Sequence, residues 1–160
     1  MAEWYAYGVG EFPWFVNEKF GTRSFLVRPE EKVGVRIHVL EPGQPSTLYH
    51  REGGQEGFLV VEGECVLIVE GEERPLKQWD YFHCPRGTSH AFVGAGDGPC
   101  VMVTLGLRTG EFAYERNDLA LEHGAGVEEE TDTPSVAYDP FPVWHGGRPD
   151  SWDDLPWNRG

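Results

Sequence analysis

The central part of the chain alternates short apolar runs with turn residues, at the spacing of β-hairpins. Apolar runs at 58–61 and 66–69 flank a break at Gly63, and a Glu-Gly turn at 70–71 leads into a polar segment at 72–77. Two hairpin-like units therefore follow each other in the sequence. The pattern predicts an all-β domain.

Other runs indicate how the strands are covered. The run at 33–40 predicts the first long strand, with four aliphatic side chains on one face and Arg36 and His38 on the other. The runs at 58–61 and 101–105 are apolar on both faces, whereas a sheet with one face in water alternates apolar with polar residues. Something must therefore cover the outer face of the sheet. The candidates are the terminal arms and a second subunit.

Both ends of the chain are rich in aromatic residues but lack a sustained helix or strand period. Residues 1–32 are predicted to form an N-terminal arm with an edge strand, and residues 33–107 the barrel core. Residues 108–160 are predicted to form short helices, starting after Asn117 and Thr133, and then an irregular aromatic-rich C-terminal arm. Its tryptophans favour docking on the protein surface, because disordered tails are normally poor in aromatics. The three segments form one domain.

The charge and the apolar runs limit the classes of partner. The chain has 160 residues, with 27 acidic against 13 basic residues and a net charge of -14, which opposes binding to nucleic acid or anionic lipid. No apolar run approaches the ~20 residues that span a bilayer, and the N-terminus lacks a basic region followed by an apolar core. We therefore expect a cytoplasmic protein with neither nucleic-acid nor membrane partners. The two-sided strands also favour a homodimer.

Two motifs in the centre of the chain resemble the signature motifs of the cupin superfamily. Glu56 followed by Gly63 resembles the first motif, and 85–87 (Pro-Arg-Gly) followed by His90 resembles the second. In that superfamily the first motif supplies a glutamate and a His-any-His pair, and the second supplies one more histidine. The resemblance implies a single-domain jelly-roll β-barrel that holds a divalent metal.

Carried over position by position, the resemblance makes Glu56 and His90 metal ligands. His50 fits the histidine pair in two ways. As the first histidine it leaves the second position to Glu52; as the second it is preceded by Leu48, and the loop to Glu56 is one residue longer. Oxygen and imidazole donors suit iron, manganese, nickel or zinc. The implied metal ligands are His50, Glu52, Glu56 and His90.

The expected cavity takes side chains from strands around both motifs. In the strand that contains Glu56, alternation places Phe58 and Val60 on the cavity side. Two other positions bear on the site: Trp79 stands where a glycine usually opens the second motif, and Cys84 is an alternative soft ligand. The predicted substrate cavity comprises His38, Phe58, Val60, Tyr81, His83 and Phe92.

Three interpretations of function follow. The first is a metal-dependent enzyme acting on a small oxygen-containing organic molecule, since dioxygenases, isomerases and lyases occur in the superfamily. The second is a non-catalytic protein whose cavity binds a small apolar or sugar-like ligand without a required metal, which the single histidine of the first motif favours. In the third, His50, Glu52 and Glu56 belong to a solvated polar loop and His90 is a hydrogen-bonded structural residue of the barrel.

Overall fold

A computed structural model describes residues 3–160. Within them, twelve strands form two antiparallel sheets, with two short α-helices and three 3-10 turns. The predicted all-β class with short helices is confirmed. The elements are β1 (Trp14–Asn17), β2 (Gly21–Phe25), β3 (Val33–Leu40), β4 (His50–Glu52), β5 (Glu56–Glu62), β6 (Glu64–Val69), β7 (Glu72–Lys77), β8 (Tyr81–Cys84), β9 (His90–Ala95), β10 (Cys100–Leu107), β11 (Phe112–Tyr114), α1 (Asp118–Glu122), α2 (Pro134–Tyr138) and β12 (His145–Gly146), with 3-10 turns at Val9–Glu11, Trp152–Asp154 and Pro156–Asn158.

The two sheets face each other as a jelly-roll barrel. The first sheet has the order β12-β1-β2-β3-β10-β5-β8, and the second has the order β11-β4-β9-β6-β7. Apolar side chains from both sheets meet between them, including Val60 and Met102 from the first and Leu67 and Phe92 from the second. One end of this interior is packed core, and the rest is open as a cavity.

The hairpin of β6 and β7 forms as the sequence predicts. Val69 pairs with Glu72, so Glu70 and Gly71 make a two-residue loop. Both have left-handed backbone angles, with φ of 48° and 79°. Left-handed residues at both loop positions match the twist of an antiparallel pair, which is why glycine is favoured there.

Strand β3 turns its polar face, rather than its aliphatic face, toward the interior. His38 is buried and borders the cavity, whereas Ile37 and Val39 pack in a cluster on the outer side of the sheet. An aliphatic outer face needs a cover, because leaving it in water forfeits the free energy of burial.

The C-terminal arm provides that cover. Leu155 is fully buried in the outer cluster, and the Trp14 ring stacks on Trp157 with centroids 5.2 Å apart. The edge of Trp152 meets the same ring at 5.3 Å. The arm also contributes β12, which pairs with β1. Of the two predicted covers, the arms therefore bury this part of the sheet.

The outer face of β10 continues beyond the arms. Leu105 and Leu107 are 43% and 47% exposed. The homodimer stays a prediction, and this uncovered apolar strip is where a second subunit would pack.

The helices are short and locally capped. The side chain of Asn117 accepts a hydrogen bond from the amide of Ala120 at 3.0 Å, and Gly124, with φ of 71°, follows the end of α1. Helix α2 begins with Pro134, after Thr133. No helix within residues 3–160 combines the length and the apolar character needed to cross a membrane.

Candidate metal centre and substrate cavity

A cavity of about 570 Å³ lies between the two sheets and the C-terminal arm. Its walls combine aromatic rings with a small number of polar groups, which is the usual composition of a small-molecule site. The rings come from both sheets and from the arm: Phe58, Phe92, Phe112, Tyr114, Tyr138, Phe141 and Trp144.

Strand pairing brings the predicted metal ligands to one end of this cavity. His50 on β4 pairs directly with His90 on β9, and their ring centroids are 5.2 Å apart. Glu56 enters from the opposite sheet, beside Gly106 on β10. A Cβ atom at position 106 would stand 3.2 Å from Cγ of Glu56, so glycine leaves room for this carboxylate.

The imidazole tautomers are set by main-chain carbonyls. Nδ1 of His50 donates to the carbonyl oxygen of Leu48 at 2.7 Å, and Nδ1 of His90 donates to that of Thr88 at 3.0 Å. A carbonyl oxygen only accepts, so each Nδ1 carries a proton and each neutral ring keeps a lone pair on Nε2. This is the arrangement found in metal-binding histidines, whose second nitrogen is held by a hydrogen bond.

Each Nε2 faces a carboxylate. His50 Nε2 lies 3.2 Å from Oε1 of Glu52, and His90 Nε2 lies 3.3 Å from Oε2 of Glu56. This oxygen of Glu56 is buried and has no hydrogen-bond partner among the described residues. A lone pair and a carboxylate oxygen repel each other unless a proton or a cation lies between them. The donor set therefore fits a divalent metal.

Burial sets the protonation states of His90 and Glu56. Burial, followed by the nearby charge of His50, lowers the pKa of His90 to about 3, so this imidazole is neutral at ordinary pH. Burial, followed by the negative charge of Glu52, raises the pKa of Glu56 to about 7. Near neutral pH a proton on Glu56 competes with a metal ion for the same position.

Cys84 adjoins the site from behind the imidazole. Ligand atoms of Glu56, Cys84 and His90 all lie within 4.8 Å of one another. The sulfur, however, lies 3.4 Å from Nδ1 of His90, the nitrogen that already donates to a carbonyl. Burial raises the pKa of the Cys84 thiol to about 12, and metals bind the thiolate rather than the thiol. Metal on the Nε2 side is therefore the arrangement that the geometry favours.

The structure distinguishes the two ways in which His50 fits the motif. Glu52 borders the cavity beside His50, whereas Leu48 is buried in a separate cluster. His50 thus occupies the first position of the pair and Glu52 the second. The interpretation of this segment as a solvated loop is wrong, because His50 and Glu56 are 5% and 3% exposed and lie in strands.

The predicted cavity residues divide into three groups. His38, Phe58 and Phe92 line the cavity, as expected. Val60 points to the same interior but is fully buried in the packed core beneath it. The prediction is wrong for Tyr81 and His83, which lie on the exposed face of β8.

Strand phase explains this error. In β8, Phe82 and Cys84 are the residues that contact the core, so alternation turns Tyr81 and His83 outward. The side chain of Tyr81 lies instead over Gly57 on the outer face of the neighbouring β5.

Several cavity residues were not predicted. Arg23, Arg36 and Thr104 line the wall next to Glu56, and Trp144 completes it from the arm. The signal for Arg36 was present in the alternation of β3, where it shares a face with His38. When a strand has one aliphatic and one polar face, and the aliphatic face is covered from outside, the polar face points to the interior of the barrel.

Comparison with known proteins supports the resemblance found in the motifs. The family model described as Cupin domain matches residues 36–106. A 5-nitrosalicylic acid 1,2-dioxygenase from Bradyrhizobium sp is 31% identical over 93 residues, which span 56% of this chain and 44% of that protein. The chain thus covers less than half the length of this relative.

Solved structures share the barrel. A sugar phosphate isomerase from a cupin superfamily, from Silicibacter pomeroyi, aligns with a TM-score of 0.60 and 20% identity, covering 86% of this chain and 90% of its own. A polyketide cyclase from Streptomyces resistomycificus aligns with a TM-score of 0.56 and 16% identity, over 66% and 80% of the two chains. At such identities the likeness shows the fold alone. The family match and the shared barrel support a small cupin-domain protein.

Proposed function

We propose that the protein is a metal-dependent enzyme of the dioxygenase type, which acts on a small oxygen-containing organic molecule held in the cavity. The observation that carries the proposal is the pair formed by the neutral His90 and the unpartnered Oε2 of Glu56. These groups lie buried at the end of an aromatic-lined cavity. The relative that is a dioxygenase supports the reaction class.

The ligands of the ion would be His50, Glu52, Glu56 and His90. An iron, manganese, nickel or zinc ion held there would supply Lewis-acid chemistry or, for a redox-active metal, chemistry with dioxygen. The protein groups prepare the site before any metal arrives. The Leu48 and Thr88 carbonyls fix both imidazoles in the ligating tautomer, so little orientational entropy is lost on binding.

The aromatic walls would control water and substrate orientation. The Phe58 ring lies against the His90 ring, with centroids 5.1 Å apart, and Phe92 lies 4.6 Å from Phe58. These rings exclude water from one side of the ligand cluster. A low local dielectric strengthens each electrostatic interaction with a bound molecule.

A second candidate function is binding of a small molecule without metal. The raised pKa of Glu56, about 7, favours it, because a protonated carboxyl can donate a hydrogen bond to the lone pair of His90 and satisfy both groups. Elemental analysis of the purified protein separates the two functions. Protein purified without chelators should contain close to one transition-metal ion per chain if the first is correct.

Calorimetric titration with Ni²⁺ tests the ligands one by one. Loss of an outer group that only orients a metal ligand weakens metal affinity by about 10–100-fold. Replacing His90 or Glu56, which would contact the ion directly, with glutamine should therefore weaken Ni²⁺ binding by more than about 100-fold. The variants Cys84→Ser and His123→Gln are the matched controls, and both should retain the affinity of the wild type. Equal affinity in wild type and His90→Gln would refute the site.

The reaction class needs a separate measurement. Metal-loaded protein should consume dioxygen in the presence of 5-nitrosalicylic acid or a related hydroxybenzoic acid, as followed with an oxygen electrode. If the protein binds metal through His90 and Glu56 but consumes no dioxygen with any of these acids, the dioxygenase type is wrong.

A further inference from the structure

The wall of the cavity next to the metal ligands carries two arginines without acidic partners. Arg23, on β2, contacts two aromatic rings, with Cζ 3.7 Å from the ring centre of Trp144 and 5.0 Å from that of Phe25. Its Nε is buried without a hydrogen-bond partner among the described residues. Across residues 3–160, neither Arg23 nor Arg36 has a carboxylate oxygen within 4.0 Å.

Strand pairing aligns these arginines with two other unpartnered polar groups. Arg23 pairs with His38, and Arg36 pairs with Thr104. His38 and Thr104 are 3% and 2% exposed, and both border the cavity. Within the part of the chain that the structure describes, Nδ1 of His38 and Oγ1 of Thr104 have no hydrogen-bond partner. Four polar side chains therefore share one wall, with hydrogen-bonding capacity left unused.

The two guanidinium groups give this wall of the cavity a positive charge. Burial, followed by the charge of Arg36, lowers the pKa of Arg23 to about 10, which still leaves its guanidinium charged at neutral pH. Burial also keeps His38 neutral by lowering its pKa. Three acidic residues line the cavity. Glu52 and Glu56 face the histidines, although the charge of Arg36 also acts to lower the pKa of both carboxyls, and Asp139 is exposed at the end of α2. Both guanidiniums are partly buried. A partly buried charge without a paired counter-charge is costly, so the wall is suited to receive an anion.

We propose that Arg23 and Arg36 bind the carboxylate of a small organic acid, whose apolar or aromatic body then lies between Phe58 and Trp144 and reaches toward the metal ligands. The inference rests on the proposed function, because it names the class of substrate for the same site. His38 and Thr104 supply additional hydrogen bonds to the carboxylate or to a neighbouring hydroxyl group.

The shape of the wall favours a carboxylate. Guanidinium groups present a planar fork of N–H donors that matches the two oxygens of a carboxylate. Contact with the Trp144 and Phe25 rings restricts the Arg23 guanidinium before a ligand arrives. The remaining walls are mainly aromatic and suit a flat apolar body.

Binding of benzoate to metal-free protein tests the arginine wall without any enzymatic reaction. Isothermal titration should show that benzamide, which has the same shape without the charge, binds at least about tenfold more weakly, as expected when a charge-assisted hydrogen-bond pair is lost. Arg36→Gln and Arg23→Gln should each weaken benzoate binding by a similar factor. Arg148→Gln is the matched control, because Arg148 also stacks on a tryptophan, Trp152, but lies outside the cavity.

Each result bears on the inference. Equal binding of benzoate and benzamide overturns it, and so does a folded Arg36→Gln variant that binds benzoate as the wild type does. Absence of saturable benzoate binding to wild type overturns it as well, and tighter binding of inorganic phosphate than of benzoate overturns the carboxylate assignment. If circular dichroism shows that Arg23→Gln does not fold, benzoate binding to Arg36→Gln and the comparison of benzoate with benzamide decide whether the inference holds.

The same titrations separate this inference from the proposed function. Benzoate binding that depends on the arginines, in a protein that binds no Ni²⁺, supports the anion wall and refutes the metal-dependent enzyme. Ni²⁺ binding that depends on His90, together with benzoate binding that is unchanged in Arg36→Gln, supports the metal site and refutes the anion wall.

Discussion

Leu155 packs the C-terminal arm against the outer face of the first sheet. It is fully buried, in contact with the outer cluster that contains Trp14 and Val101. Truncation of a buried leucine to alanine costs about 2–5 kcal/mol, and the lower half of this range applies where the surroundings can collapse. Leu155 lies between two single 3-10 turns, which can settle into the space. We expect Leu155→Ala to lower the free energy of unfolding by about 2–3 kcal/mol.

Thermal unfolding followed by circular dichroism gives the measurement. For a chain of this length, about 2–4 °C is lost per kcal/mol, so the melting temperature should fall by about 4–12 °C. Val143→Ala is the matched control, because Val143 is apolar, lies in the same arm and is 81% exposed. It should change stability by less than about 0.5 kcal/mol. Equal melting temperatures for wild type and Leu155→Ala would show that the arm does not stabilise the barrel.

Three further predictions concern strain, charge and assembly. Trp79 is 67% exposed and has a left-handed backbone, with φ of 73°. Trp79→Gly should relieve this strain and raise the free energy of unfolding by about 0.5–1 kcal/mol in a denaturant titration. Trp4→Gly is the control and should not raise it, because Trp4 is exposed but has no positive φ. In metal-free protein, burial lowers the pKa of both His38 and His90, so as pH falls from about 6.5 to 5 the unfolded chain protonates these two histidines while the folded chain does not. The raised pKa of Glu56 acts in the opposite direction, but it concerns one proton against two. The melting temperature should therefore fall over this range, and by less in His38→Asn. A melting temperature that rises as pH falls would contradict the sign, and an unchanged pH dependence in this variant would contradict the contribution of His38. Light scattering should return twice the 18.0 kDa chain mass if the Leu105 and Leu107 strip is a dimer interface, and the monomer mass would reject the homodimer.

The barrel could be predicted from the sequence because its signals are local. The Glu70-Gly71 turn requires left-handed backbone angles, and the Asn117 cap requires a side-chain acceptor, so both are fixed by a few neighbouring residues. The position of the arm is fixed by distant contacts such as Trp14 with Trp157. Sequence patterns indicate that these rings must be buried but not against what.

The site was predictable to the extent that the motifs determine it. Glu56 and His90 meet as the resemblance implies. The arginine wall was missed because only His38 was taken from the polar face of β3 into the predicted cavity, although Arg36 shares that face. Which face is inward depends on what covers the other, and the cover lies more than a hundred residues further along the chain, at Leu155.

The C-terminal arm also forms part of the cavity wall, so docking of the arm and binding of a ligand are coupled. Trp144 lies over Arg23, although 121 positions separate them. A molecule that contacts both binds only the docked conformation, so by thermodynamic linkage it stabilises the docked arm by as much as docking strengthens its binding. Saturating ligand should therefore slow amide hydrogen exchange in residues 141–146 while leaving the α1 segment unchanged. Hydrogen exchange in the C-terminal arm thus reports whether a ligand occupies the barrel cavity.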